Sequence, residues 1–111
     1  MSSTTSGIDV PMYVLVGPHS YRLKFVQGLK HEDGDMLLGQ CITDHLCIEL
    51  EEDQPNSLLR ETVLHELVHA IASQFGLSDR ADEEAWANAM GVGMLQLLVQ
   101  NPKLCEWLVA S

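Results

Sequence analysis

The chain is short of positive charge, of long apolar runs and of cysteine, and each shortage removes a class of function. Six Lys and Arg stand against sixteen Asp and Glu, a formal net charge of −10 over 111 residues. Such a surface repels phosphate backbones and anionic lipid, so no direct nucleic-acid or membrane partner is expected. No apolar run approaches the roughly 20 residues that span a bilayer. The opening "MSSTTSG" is polar and lacks the basic start and apolar stretch of a secretory signal, which makes a cytoplasmic location the expectation. Cys41, Cys47 and Cys105 are odd in number and have no CxxC spacing, which argues against a disulfide framework and against a thiolate zinc knuckle. Reduced thiols are expected, with Cys41 and Cys47 able to face each other across a turn. Nor is there a dense acidic array of the kind a nucleic-acid mimic needs, since the acids cluster at 49–53 and 79–84.

What is present is enough apolar content, 46% of the residues, for one modest core. The expected organisation is a disordered start at 1–7 and a single domain over 8–111. "MYVLVG" (12–17) and "YRLKFVQGL" (21–29) are β-rich, and "KHEDGD" (30–35) is a polar turn. "MLLGQCIT" (36–43) and "LCIEL" (46–50) read as two more strands joined at Asp44 and His45. After the acidic loop 51–56 the period becomes helical, with Asn56 or Ser57 as N-cap and Gly76 as a left-handed stop. A second helix starts from Ser78 or Asp79 and reaches about Gln100, and Asn101 and Pro102 introduce a short last helix. Sheet first and helical hairpin after is the α+β class.

One segment of the first helix is chemically distinct. "TVLHELVHAIASQFG" (62–76) sets His65, Glu66 and His69 in an otherwise apolar run. Residues four apart share a helix face, so His65 and His69 can aim at one point, while Glu66 is rotated from His65 by about 100°. This is the HExxH arrangement of two zinc ligands and a carboxylate that takes a proton from zinc-activated water. Two imidazoles and a carboxylate in apolar surroundings cost several kcal/mol (about 2–7 each) if left unsatisfied, and metal ligation answers that cost. A catalytic zinc keeps three protein donors, so a third is required. No histidine follows His69, which leaves the downstream carboxylates Asp79, Asp82, Glu83, Glu84 and Glu106. The apolar stripe through Trp86, Met90, Met94 and Leu97 contains Glu83, whereas small residues at Ala87 and Gly91 favour an approach near Glu84.

"HELVH" followed by "EEAWANAMG" resembles the gluzincin zinc metallopeptidases, in particular the small ImmA/IrrE-like and minigluzincin branch common in phages and mobile elements. The resemblance covers roughly Leu37 to Pro102 and adds nothing for the first 30 residues. It implies Glu84 as third ligand, with Ala87, Asn88, Met90 and Gly91 completing the pattern. It also implies hydrolysis of a peptide bond in a protein substrate, with Glu66 as general base. Asn88 and Glu61 are the candidates for orienting the imidazoles, and "LCIEL" is the candidate edge strand for an extended peptide. The downstream His or Tyr that larger relatives use to stabilise the tetrahedral intermediate is missing, and Tyr13, Tyr21 and His45 are the upstream candidates. The alternative is a non-catalytic zinc-stabilised interaction module with an acidic surface. The apolar second helix is the candidate contact of a homodimer.

Overall fold

The computed structural model describes residues 9–110, so the start read as disordered lies outside the described residues. Strands β1 (Tyr13–Val16) and β2 (His19–Val26) form a hairpin whose two-residue turn sets Gly17 at φ 58°. Their alternation sends Val14, Val16, Tyr21 and Leu23 inward and leaves Tyr13, Arg22 and Lys24 on the open face. Strands β3 (Gly39–Ile42) and β4 (Cys47–Glu51) follow, linked by a short 3-10 turn, Thr43–His45. The sheet order is β1-β2-β4-β3, with β2 and β4 parallel and the other pairs antiparallel. The "LCIEL" segment is therefore interior, and the edge strand on that side is β3, which corrects the sequence expectation. Cys47 lies opposite Ile42 and Cys41 opposite Ile48, so alternation puts the two thiols on opposite faces and all three cysteines are free.

Helix α1 (Asn56–Gln74) lies across the inward face of the sheet. Val63, Leu67, Ala70 and Ile71 are fully buried against Val14, Ile48 and Leu50. Each large aliphatic side chain so buried contributes about 1.5–3 kcal/mol. The N-cap position is Pro55, with no side-chain cap, rather than Asn56 or Ser57. It ends as expected, with Gly76 left-handed at φ 66° and the Leu77 N–H donating back to the Ala72 carbonyl at 2.9 Å.

Helix α2 (Glu83–Gln100) is capped by Asp82, whose carboxylate accepts the Ala85 N–H at 2.8 Å, rather than by Ser78 or Asp79. It buries Ala89, Gly93 and Leu97 and touches both α1 and β1. The close approach is at Gly93, where an added Cβ would clash with Ile71 Cγ2, and not at the exposed Ala87 and Gly91. Helix α3 (Pro102–Val109) is tied down by Arg60, whose Nε donates to the Trp107 carbonyl at 3.0 Å. Asn101 does not cap α3 with its side chain. Instead its amide exchanges two 2.8 Å hydrogen bonds with the Leu15 backbone and donates to the Leu97 carbonyl, covering the free edge of β1 as a strand would. Among the described residues no helix is long and apolar enough to cross a membrane.

Candidate metal centre

The buried stripe of α1 leaves His65 and His69 on the flank of the helix that overhangs β3. Their Nε2 atoms are 3.3 Å apart and their rings meet edge to face with centroids 4.9 Å apart. Two nitrogens at 2.0–2.1 Å from one tetrahedral ion are separated by about 3.3 Å. The pair therefore has the spacing of two ligands on a zinc ion. An Nε2–H···Nε2 hydrogen bond would give the same distance, so exposure adds a second criterion. The His65 side chain is 67% exposed while that of Glu66 is only 8% exposed, so the imidazoles open to the surface with the carboxylate beneath them.

Glu66 points toward β3, with Oε2 4.0 Å from His65 Nε2. Burial pushes its carboxyl above the usual 4.5, and the two neighbouring imidazoles offset this only in part. Gly39 makes the placement possible: a Cβ there would stand 2.7 Å from Thr62 Cγ2 and 3.2 Å from Glu66 Cγ. Thr62 is itself fixed, its hydroxyl 2.9 Å from both the Gln54 amide oxygen and the Leu58 carbonyl and able to donate to either. The sheet edge, its glycine and the carboxylate form one packed unit.

His65, Glu66 and His69 line a cleft of about 420 Å³ together with Gly39, Cys41 and His31. A neighbouring cleft of about 450 Å³ shares His65, Glu66 and Gly39 and is walled by Met36, Leu37 and Leu38. The backbone register completes the setting. The Glu51 N–H donates to the Leu38 carbonyl at 2.8 Å, so in an antiparallel ladder Gln40 and Ile42 are the residues bonded to β4. The N–H and C=O groups of Gly39 and Cys41 then face away from the sheet, alongside the cleft.

The other residues singled out from the sequence are elsewhere. Glu83 and Glu84 are exposed in the first turn of α2 and neither lines the cleft. At about 100° per residue Glu84 is on the opposite side of α2 from the buried Gly93, with Asn88 close to it. Among the described residues no three His, Cys, Asp or Glu side chains are grouped closely enough to hold a metal ion. Glu61 is exposed at the rim of the neighbouring cleft beside His65. Tyr13 is exposed on β1, Tyr21 is a core residue, and His45 is exposed on the turn before β4. The residue that sequence reasoning passed over is His31, read only as part of a polar turn. Its one sequence signal is that it is a histidine two residues before an aspartate.

No protein-family model, curated protein or solved structure matches this chain.

Proposed function

We propose that the chain is a zinc-dependent peptidase of the HExxH type, with His65 and His69 as metal donors and Glu66 as general base. The observation that carries this reading is the 3.3 Å separation of two exposed Nε2 atoms directly above a buried carboxylate. Zinc bound by the pair would polarise a substrate carbonyl and acidify a water. Glu66, its carboxyl pushed above the usual 4.5 by burial, suits the exchange of a proton: it would take one from the attacking water and return it to the leaving amine. An extended peptide would pair with the outward N–H and C=O groups of Gly39 and Cys41, adding a strand to β3. Its path crosses the cleft, and the Met36, Leu37 and Leu38 wall would receive an apolar side chain next to the bond cut. A structural zinc needs neither an unpaired carboxylate beside the donors nor imidazoles open to the surface, which favours the enzyme over the interaction module.

The test is metal content after purification without chelator, read beside cleavage of a peptide library. Wild type and Glu66→Gln should each hold about one zinc per chain, and His65→Ala and His69→Ala should hold none. Wild type should cleave, and Glu66→Gln should lose about 10²-fold or more of the rate. Zinc bound equally well without His65 would sink the reading, and zinc bound with no cleavage of any peptide would leave the interaction module in its place.

A further inference from the structure

Natural sheets protect an open edge with a charge, a proline or a cover. The edge of β1 has its cover in Asn101, and β3 is the edge left open. From Met36 to Thr43 its sequence is "MLLGQCIT", without a charged residue or a proline. Met36 and Leu38 stand 67% and 44% exposed beside it. This start of the strand is held in place by the hairpin between β2 and β3. The Leu37 N–H donates to the Leu29 carbonyl at 3.0 Å, and the hairpin root is fastened to β4 by the Leu29 N–H, which donates to Glu51 Oε1 at 2.8 Å. An unprotected edge with fixed apolar side chains is a surface on which another strand can pair.

Charge decides what that strand is. Two clefts meet at the Met36, Leu37 and Leu38 wall: one runs to His65 and has Glu61 at its rim, and the other, of about 520 Å³, is lined by Glu52 and Asp53. These three acids are exposed and form no ion pair among the described residues. No Lys or Arg lines either cleft, and Lys30, though paired with Met36 across the hairpin, lines neither. A second copy is the wrong occupant. Antiparallel pairing of two β3 edges about Gln40 would set Asp44 of one copy opposite Met36 of the other, near its acids, and would join two chains of net charge −10. A basic strand meets no such repulsion.

We propose that the β3 edge binds an extended basic segment of a protein, with an apolar side chain against Met36 and Leu38 and a neighbouring Lys or Arg held by Glu52 and Asp53. Glu61 flanks the same segment from α1. The inference names the substrate class of the peptidase reading and rests on it for the path along β3, but the binding itself needs no zinc.

Fluorescence anisotropy of labelled peptides tests it, on the wild-type chain in chelator so that no cleavage competes. The probes are Thr- and Val-rich peptides with a single Leu flanked on both sides by Lys, by Gln or by Glu. The Lys peptide should bind about 10-fold tighter than the Gln peptide at low salt, and the Glu peptide weakest. The advantage should fade by ~0.5 M salt. Glu52→Gln with Asp53→Asn should erase the advantage and leave the Gln peptide unchanged, and Met36→Ser should weaken the Lys and Gln peptides alike. Asp79→Asn with Glu106→Gln removes the same charge from exposed acids that line neither cleft, and should keep the advantage. Equal affinity for the Lys and Gln peptides, or an advantage lost as fully in that control pair, overturns the proposal. So does a dimer in sedimentation that Leu38→Lys dissolves, which would give the edge to a second copy. Zinc-dependent cleavage without a basic preference overturns this inference alone, whereas Lys-peptide binding by a chain that holds no zinc leaves it standing as the peptidase reading falls.

Discussion

Two glutamates of this small fold are equally inaccessible, each 6% exposed, and their surroundings treat them in opposite ways. Glu51, at the end of β4, accepts the Leu29 N–H at 2.8 Å and the Asp53 N–H at 3.0 Å. Those backbone donors hold its carboxyl below the usual 4.5. Glu66, on α1, is beside two imidazoles and is pushed above the same value by burial. A carboxylate supplied with backbone donors is a fastener, because its charge is satisfied and has no reason to accept a proton. One that is buried without such donors is equipped for chemistry. The hairpin root and the cleft are only a few residues apart along β3 and β4, yet one is built for stability and the other carries a cost.

Removing the fastener should have the largest effect. Without Glu51 the buried N–H of Leu29 loses its acceptor, and an orphaned backbone donor costs about 1–3 kcal/mol. Glu51→Ala should therefore lower the urea midpoint at neutral pH more than either change discussed next. The sign with pH is fixed by the depressed carboxyl: the stabilisation is complete above 4.5 and is lost as pH falls through the lower folded value. Glu51→Gln and wild type should accordingly converge in stability as acid is added. A gap that stays constant down to pH ~3 would show that the charge is not what fastens the hairpin.

An intermediate effect is expected where the two environments meet. Gly39→Ala puts a Cβ 2.7 Å from Thr62 and 3.2 Å from Glu66, with the Glu49 carbonyl only 3.3 Å away on the third side. The strand is held to β4 and cannot retreat, so α1 has to give. A cost of about 1–2 kcal/mol is expected for overpacking of this kind, together with weaker zinc binding. Gly91→Ala is the control: nothing lies within 4 Å of the added Cβ, and it should stabilise α2 by about 0.5–1 kcal/mol.

The order of elements, the helix stop at Gly76 and the α+β class were legible in the sequence, because apolar period and turn chemistry are local. What was not legible depended on which neighbour a residue meets. "LCIEL" was read as an edge since it ends the strand run, but β2 pairs with it in parallel, an alignment no local signal announces. The apolar stripe of α2 does pack on the core through Met90, Met94 and Leu97, but the close approach to α1 is made at Gly93, and Val92, Leu95 and Val99 are left exposed. A helix apolar on both sides gives no preferred face, and so the position of Glu84 could not be fixed by counting. His65, Glu66 and His69 were found together because one helix turn brings them together. His31 comes from a different segment, and only the folded hairpin reveals its place in the cleft.

The smallest expected change has the opposite sign. At neutral pH the charged Glu66 weighs against folding, since burial raises its carboxyl above 4.5 and the folded chain holds the proton more tightly than the unfolded one. That advantage is complete below pH 4.5 and is lost as pH rises through the raised folded value. In metal-free protein Glu66→Gln removes the charge without changing the volume, so it should stabilise the chain. The facing imidazoles, open to solvent, limit the gain to at most about 1 kcal/mol. The gain should shrink as pH falls and vanish near pH ~4, the reverse of Glu51→Gln, whose deficit grows as pH rises. Thermal melting of both variants across that range in the presence of chelator checks the pair at once. If Glu66→Gln were destabilising at neutral pH, its carboxylate would be a fastener like that of Glu51, and the case for it as a base would lose its physical ground.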